Sequence, residues 1–144
     1  MPKKRYISSE LKQKVTERAK HLCEYCKCPR AYSPGPFDVE HIIPLSRNGK
    51  TIIANLAYAC SGCNGSKYNK IKAIDAVSGQ QVPLFHPRKE KWAHHFSWSN
   101  DGLLIIGITR VGRATIALLK LNRIELTNIR RLLQLVGEHP SNEV

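Results

Sequence analysis

The sequence predicts an α+β fold, with short helices and strands built around a set of metal-binding thiols. Three observations lead there. Leu11, Val15, Ala19 and Leu22 recur at steps of four and three, the spacing of one helical stripe. The runs "FDVEHII" and "GLLIIGI" are short, apolar and flanked by turn residues, which is strand-like. Cys23, Cys26, Cys60 and Cys63 form two Cys-x-x-Cys pairs separated by 33 residues.

Composition bounds the rest. The chain has 144 residues, of which 42% are hydrophobic, enough for one ordinary domain with a real core. Lys and Arg number 23 against 11 Asp and Glu, a net charge of +12. A surplus of that size in a small domain suits a polyanionic partner, most often nucleic acid; the alternative is a charge that only solubilises. The N-terminal stretch "MPKKRYISSELKQK" is charged and has no apolar segment of the secretory kind. Nothing approaches the run of about 18 apolar residues that spans a bilayer. The expectation is a soluble, cytoplasmic chain that does not enter a membrane, with "PKKR" a solvated basic arm.

The elements follow in order. Residues 8–22 read as a helix, capped by Ser8 or Ser9, and "CEYC" follows as the first knuckle. "PRAYSPGP" is a loop. "FDVEHIIPL" is a strand ending near Ile43, before Pro44. "SRNGK" holds an Asn-Gly turn. "TIIANLAYAC" begins extended and becomes a short helical turn into the second knuckle. "NGSKYNKIKAIDAVSG" reads as a helix ended by Gly79. "QQVPLFHPRKEKWAHHF", with Pro83 and Pro87, reads as a connecting arm. "FSWSNDGLLIIGITRVG" is a hairpin around an Asn-Asp-Gly turn. "ATIALLKL" and "IELTNIRRLLQLVG" are two helices, the second with Leu126, Ile129, Leu133 and Val136 on one face. Residues 1–79 are then the core with its N-terminal helix. Residues 80–144 are an extension of arm, hairpin and two helices, packed on or beside it.

The chain has five cysteines. An odd number in an intracellular chain argues against a disulfide framework. Two Cys-x-x-Cys pairs can instead offer four thiolates in a tetrahedron, the closed site of a structural zinc. The gap exceeds the roughly 15–20 residues of a common zinc ribbon, so something sizeable is inserted. Cys28 can compete with Cys26, but the spacing favours Cys23 and Cys26.

That insertion carries Glu40 and His41, then Asn55; Asn64 lies one residue past the second pair. A zinc ion tying both ends together brings the strand bearing Glu40 and His41 to face the helix bearing Asn64. Glu40 and Asn64 then offer oxygens to a hard cation such as Mg²⁺, which keeps several waters. An imidazole titrates near neutrality, so His41 can take a proton from an attacking water. These are the parts for hydrolysing a phosphodiester. Plainer roles stand beside them: Asn55 and Asn64 as helix caps, His41 as a core histidine. The adjacent pair His94 and His95, read on a strand where neighbours point to opposite faces, is assigned to packing or exposure rather than metal. His86 is a loop residue, and Trp92 and Trp98 are core.

The ordered set "CEYC … VEHIIPLSRNG … NL … ACSGCNGSK" resembles the HNH endonucleases, the ββα-metal nucleases, in their four-cysteine zinc form. The resemblance covers about residues 20–70, with flanks like those of bacterial, especially cyanobacterial-type, HNH proteins. It implies a ββα-metal core stapled by a four-cysteine zinc site, and cleavage leaving 5′-phosphate and 3′-hydroxyl ends. By position, it implies His41 as general base and Asn55 as the brace that orients it. Asn64 and Glu40 become ligands of a catalytic divalent ion, Mg²⁺ or another. Cys23, Cys26, Cys60 and Cys63 become ligands of structural zinc. Glu40 stands where Asp or His is usual, one methylene longer than Asp. Lys67, one helical turn past Asn64, is expected to touch a phosphate, with Arg47 and Lys70 as further contacts. The expected function is a metal-dependent DNA endonuclease; the alternative is a non-catalytic zinc-knuckle module that binds nucleic acid.

Overall fold

Ser8 Oγ accepts a hydrogen bond from the Leu11 N–H at 3.1 Å, and this cap starts helix α1, Ser9–Arg18. The computed structural model describes residues 6–141; the expected "PKKR" arm lies outside the described residues. The helix ends before residue 22 because Lys20 and His21 take positive φ values of 57° and 61°, which a right-handed helix cannot continue. Its stripe still packs. Val15 is fully buried beside Ile7, Leu56 and Tyr58, with Leu11 and Ala19 at the edge.

A ββα unit follows. Strand β1, Phe37–His41, pairs antiparallel with β2, Leu56–Cys60, so that Phe37 faces Cys60 and His41 faces Leu56. Helix α2, Ser61–Lys67, packs on both strands. Between the strands, Asn48 takes φ 67° in the expected turn. At Gly49 a Cβ would lie 1.7 Å from the Ile43 carbonyl oxygen, so no other residue fits. The order within "TIIANLAYAC" is the reverse of the expectation. A 3₁₀ turn, Ile53–Asn55, comes first and the strand second. All five β2 residues are buried, so the strand lacks the alternation that marks a half-buried one.

Two further expectations are corrected. Residues 64–79 do not form one helix. The chain leaves α2 at Tyr68, where φ is 48°. It then forms β3, Lys72–Ile74, paired with β4, Gln81–Pro83. Asp75 closes that hairpin by accepting from the Val77 and Ser78 N–H groups. It also makes a bidentate ion pair with Arg113 at 2.9 Å. The "arm" after Gly79 is core: Leu84, Phe85, Trp92 and Phe96 are buried. Prolines and charges between them mask these apolar anchors in the sequence. His94 and His95 lie on the short helix α3, Trp92–His95, not on a strand.

The remaining elements match the reading. Strands β5, Phe96–Trp98, and β6, Ile105–Gly107, form the hairpin. Helices α4, Arg110–Leu119, and α5, Ile124–Leu135, complete the described fold. Leu126 and Leu133 face inward and Ile129 packs against the same core, but Val136 lies past the helix end and is exposed. A two-stranded hairpin is marginal alone, so all three depend on what they pack against. One cluster joins Cys23, Tyr25, Ile42 and Cys60 to Leu84, Phe96, Leu119 and Leu126; the chain on either side of residue 79 shares one core. Each large apolar side chain buried there contributes about 1.5–3 kcal/mol. Trp92 adds a polar tie, its Nε1 donating to the Tyr25 carbonyl at 3.0 Å. Among the described residues no helix is long and apolar enough to cross a membrane.

Candidate functional site

The four paired cysteines converge. Their sulfurs all lie within 4.8 Å of one another, and all four residues are buried. Local structure explains the convergence. Lys27, at φ 65°, turns the first pair back on itself, and the Lys27 N–H donates to the Cys23 carbonyl at 2.9 Å. Cys60 ends β2, and Cys63 sits in the first turn of α2. The Cys26 and Cys60 sulfurs are 3.7 Å apart. Zn–S bonds of about 2.3 Å in a tetrahedron separate sulfurs by roughly 3.8 Å, so the set fits zinc in both donor type and spacing. Hydrogen bonds from Cys23, Cys26 and Cys63 hold the Cys60 thiol down, while the Cys23 contact first among several pushes Cys26 up. Sulfurs this close share protons unless a cation neutralises them. Cys28 stays outside the set: its thiol, pushed up to about 11 by burial, points to the Pro29 carbonyl.

His41, Glu40 and Asn64 line one open cleft of about 460 Å³, together with Asp38, Ser46, Tyr68 and Asn69. His41 is half-buried at the last position of β1, its Nε2 2.8 Å from Thr51 Oγ1. The Asn64 Nδ2 donates to Asp38 Oδ2 at 3.1 Å, and Asp38 is exposed. A larger cavity, about 590 Å³, lies between the 28–36 loop and α5, away from His41.

Glu40 is not presented to that cleft as a bare carboxylate. Its Oε2 accepts from Tyr25 Oη at 2.6 Å and its Oε1 from Lys67 Nζ at 3.1 Å. Burial raises its proton affinity, and Lys67 opposes that shift. Lys67, expected to touch a phosphate, is turned inward by the same geometry. The side chain is 1% exposed, and Nζ also donates to the carbonyls of Ile42 at 2.8 Å and His41 at 3.4 Å. Lys67 faces inward because Glu40 and two strand-end carbonyls lie within its reach. Arg47 and Lys70 do stay exposed. Arg47 donates to the carbonyl of Asn69, a cleft residue, at 2.7 Å.

Asn55 is buried and fully used. Its Oδ1 accepts from the Ile43 N–H at 2.9 Å, and its Nδ2 donates to the carbonyls of Ile43 and Lys50 at 3.0 and 2.9 Å. It staples the ends of the loop that follows His41. Outside the cleft, His95 is bonded to Thr109 and Glu90. His86 Nδ1 accepts from the Arg88 and Lys89 N–H groups. Sequence reasoning misses Asp38, Tyr25 and Thr51. Asp38 carries a signal, since it lies two residues before Glu40 and so on the same strand face.

Residues 23–70, a third of the chain, match the family model described as HNH endonuclease. The matched span contains both cysteine pairs, β1, β2 and α2. Searches of the curated proteins and of the solved structures return no match.

Proposed function

Taking the HNH endonuclease segment at residues 23–70 as the premise, we propose that this protein is a divalent-metal-dependent endonuclease acting on DNA. The observation that carries this reading is the single cleft in which His41, Asn64 and Asp38 meet beneath a scaffold closed by four thiols. Water at neutral pH is a poor nucleophile and the phosphodiester repels hydroxide, so the reaction needs a base and a cation. His41 is the base, accepting the proton of the attacking water while Thr51 holds its ring. The donors at the cleft are hard oxygens, which fit Mg²⁺ with most of its waters kept. Such an ion, when bound, supplies positive charge to the scissile phosphate and the leaving oxygen.

The resemblance assigns that ion to Glu40 and Asn64. Glu40 has its two oxygens engaged by Tyr25 and Lys67. Asp38 is exposed and already bonded to Asn64. We therefore assign the accessible oxygens to Asn64 and Asp38, with Glu40 behind them as the buried partner of Lys67. Asn55 keeps its role as the brace of the loop after His41. Arg47 and Lys70, both exposed, are the proposed phosphate contacts.

The test is incubation of purified protein with supercoiled plasmid and Mg²⁺ or Mn²⁺, with and without chelator. His41→Ala abolishes nicking while zinc content and DNA affinity stay near wild type. Asp38→Asn and Asn64→Ala raise the Mg²⁺ concentration needed. A wild type that binds DNA but cuts under no divalent ion makes the protein a zinc-knuckle binding module instead. If Asp38→Asn cuts at the wild-type Mg²⁺ midpoint, the ion belongs to another carboxylate.

A further inference from the structure

Arg123 reaches the four-thiol site from the far end of the chain. Its Nη2 lies 3.4 Å from Cys60 Sγ and its Nη1 3.6 Å from Cys63 Sγ. Nη1 also donates to the carbonyls of Leu119 and Lys120 at 3.2 and 3.1 Å, which end α4. One guanidinium thus bridges the two thiols of the second knuckle and the α4–α5 corner.

Gly62 makes room for it. A Cβ at that position would lie 2.4 Å from Arg123 Nη2 and 2.8 Å from Cζ. Gly62 sits inside α2, where glycine costs up to about 1 kcal/mol relative to alanine. Its backbone takes no positive φ, so chain conformation does not demand glycine. A side chain there would push the guanidinium away from the thiols, since the nearest atoms it meets are those of Arg123.

We infer that Arg123 is a structural cation of the metal centre: it caps the Cys60 and Cys63 thiolates, slows metal release and latches the C-terminal helices to the site. Four thiolates around Zn²⁺ leave a net charge of −2 in a buried place. Arginine supplies one compensating charge together with two N–H donors aimed at sulfur. Hydrogen bonds to metal ligands hold them in position and tune how tightly they bind. The inference requires zinc at the four thiols but not the nuclease reading, and nothing in its test involves cleavage.

The test compares wild type, Arg123→Ala, Arg123→Lys, Gly62→Ala and the double variant Gly62→Ala/Arg123→Ala. The first readout is the rate of zinc release to excess chelator under native conditions. Arg123→Ala is expected to release zinc roughly ten-fold faster or more. Arg123→Lys, which keeps the charge but not the fork, falls between. Gly62→Ala speeds release in the wild-type background, by displacing the guanidinium, and adds little once Arg123 is alanine. The second readout is the sulfur-to-metal charge-transfer band of the cobalt-substituted proteins, which shifts when donors to the thiolates are lost. A residue that only caps α4 would move the melting temperature and leave both the band and the release rate unchanged. That result overturns the inference. So does a Gly62→Ala effect that is equal in both backgrounds, or a wild type that takes up neither zinc nor cobalt.

Discussion

Lys67 shows how far a single residue's meaning depends on what surrounds it. Its position, three residues past Asn64, is legible, and the family resemblance implies a phosphate contact there. Its burial is not, because nothing local announces that Glu40 and two carbonyls will take the ammonium, with Tyr25 holding the other oxygen of Glu40. Removing one partner of a buried ion pair leaves the other charge unpaired in a poor solvent, which costs about 3–5 kcal/mol. Lys67→Met should therefore lower stability by about 3–5 kcal/mol, read as a fall in the urea midpoint. Adding Glu40→Leu should restore much of the loss, since it removes the orphaned charge. A phosphate-contacting lysine predicts another pattern: little change in stability and a shallower salt dependence of DNA binding. That second pattern is the one expected of Arg47 and Lys70, the proposed phosphate contacts, which are exposed. If Lys67→Met is as stable as wild type, the Glu40 pair is not what holds the end of β1.

At the level of elements, what the sequence discloses follows from the kind of signal each piece carries. The β5–β6 hairpin and the terminal helices are readable because turn residues and helical spacing are local. Strand β2 escapes the pattern because its full burial removes alternation. The β3–β4 hairpin escapes it because each strand is only three residues long, too short for the alternation of Ile71 and Ala73 with lysines to stand out, and its turn is closed by Asp75, which bonds that turn and Arg113. The loop of residues 43–50 illustrates the intermediate case, since Asn55 is legible as a brace and its partners are not. It makes three hydrogen bonds from a buried position, two to Ile43 and one to Lys50. Asn55→Ala leaves those backbone groups unpaired, each costing about 1–3 kcal/mol where water cannot replace the asparagine. The expected result is loss of amide-exchange protection at Ile43, with the zinc knuckles unchanged. Cleavage should slow through kcat more than through substrate affinity, because His41 precedes this loop. Unchanged exchange at Ile43 would show that the loop is held by something other than Asn55.

For the whole molecule, the question is whether residues 1–79 and 80–144 behave as two bodies. The polar texture after Gly79 suggests a boundary, but Leu84, Phe85, Trp92 and Phe96 bury their side chains in the cluster that also holds Cys23, Cys26, Cys60 and Cys63. The four cysteines that could hold zinc belong to that shared core and not to one half alone. A structural zinc contributes folding energy directly, since the unfolded chain has no preformed site. It follows that chelating zinc should unfold the helices α4 and α5 together with the ββα unit, in one transition by both far-ultraviolet dichroism and tryptophan fluorescence. Trp92 and Trp98 report the C-terminal half, although neither is a ligand or a neighbour of one in sequence. Coincident transitions under chelator, reversed by added zinc, are the expected outcome. If tryptophan fluorescence stays native while the ββα unit melts, the two halves have separable cores, and the metal governs only the first.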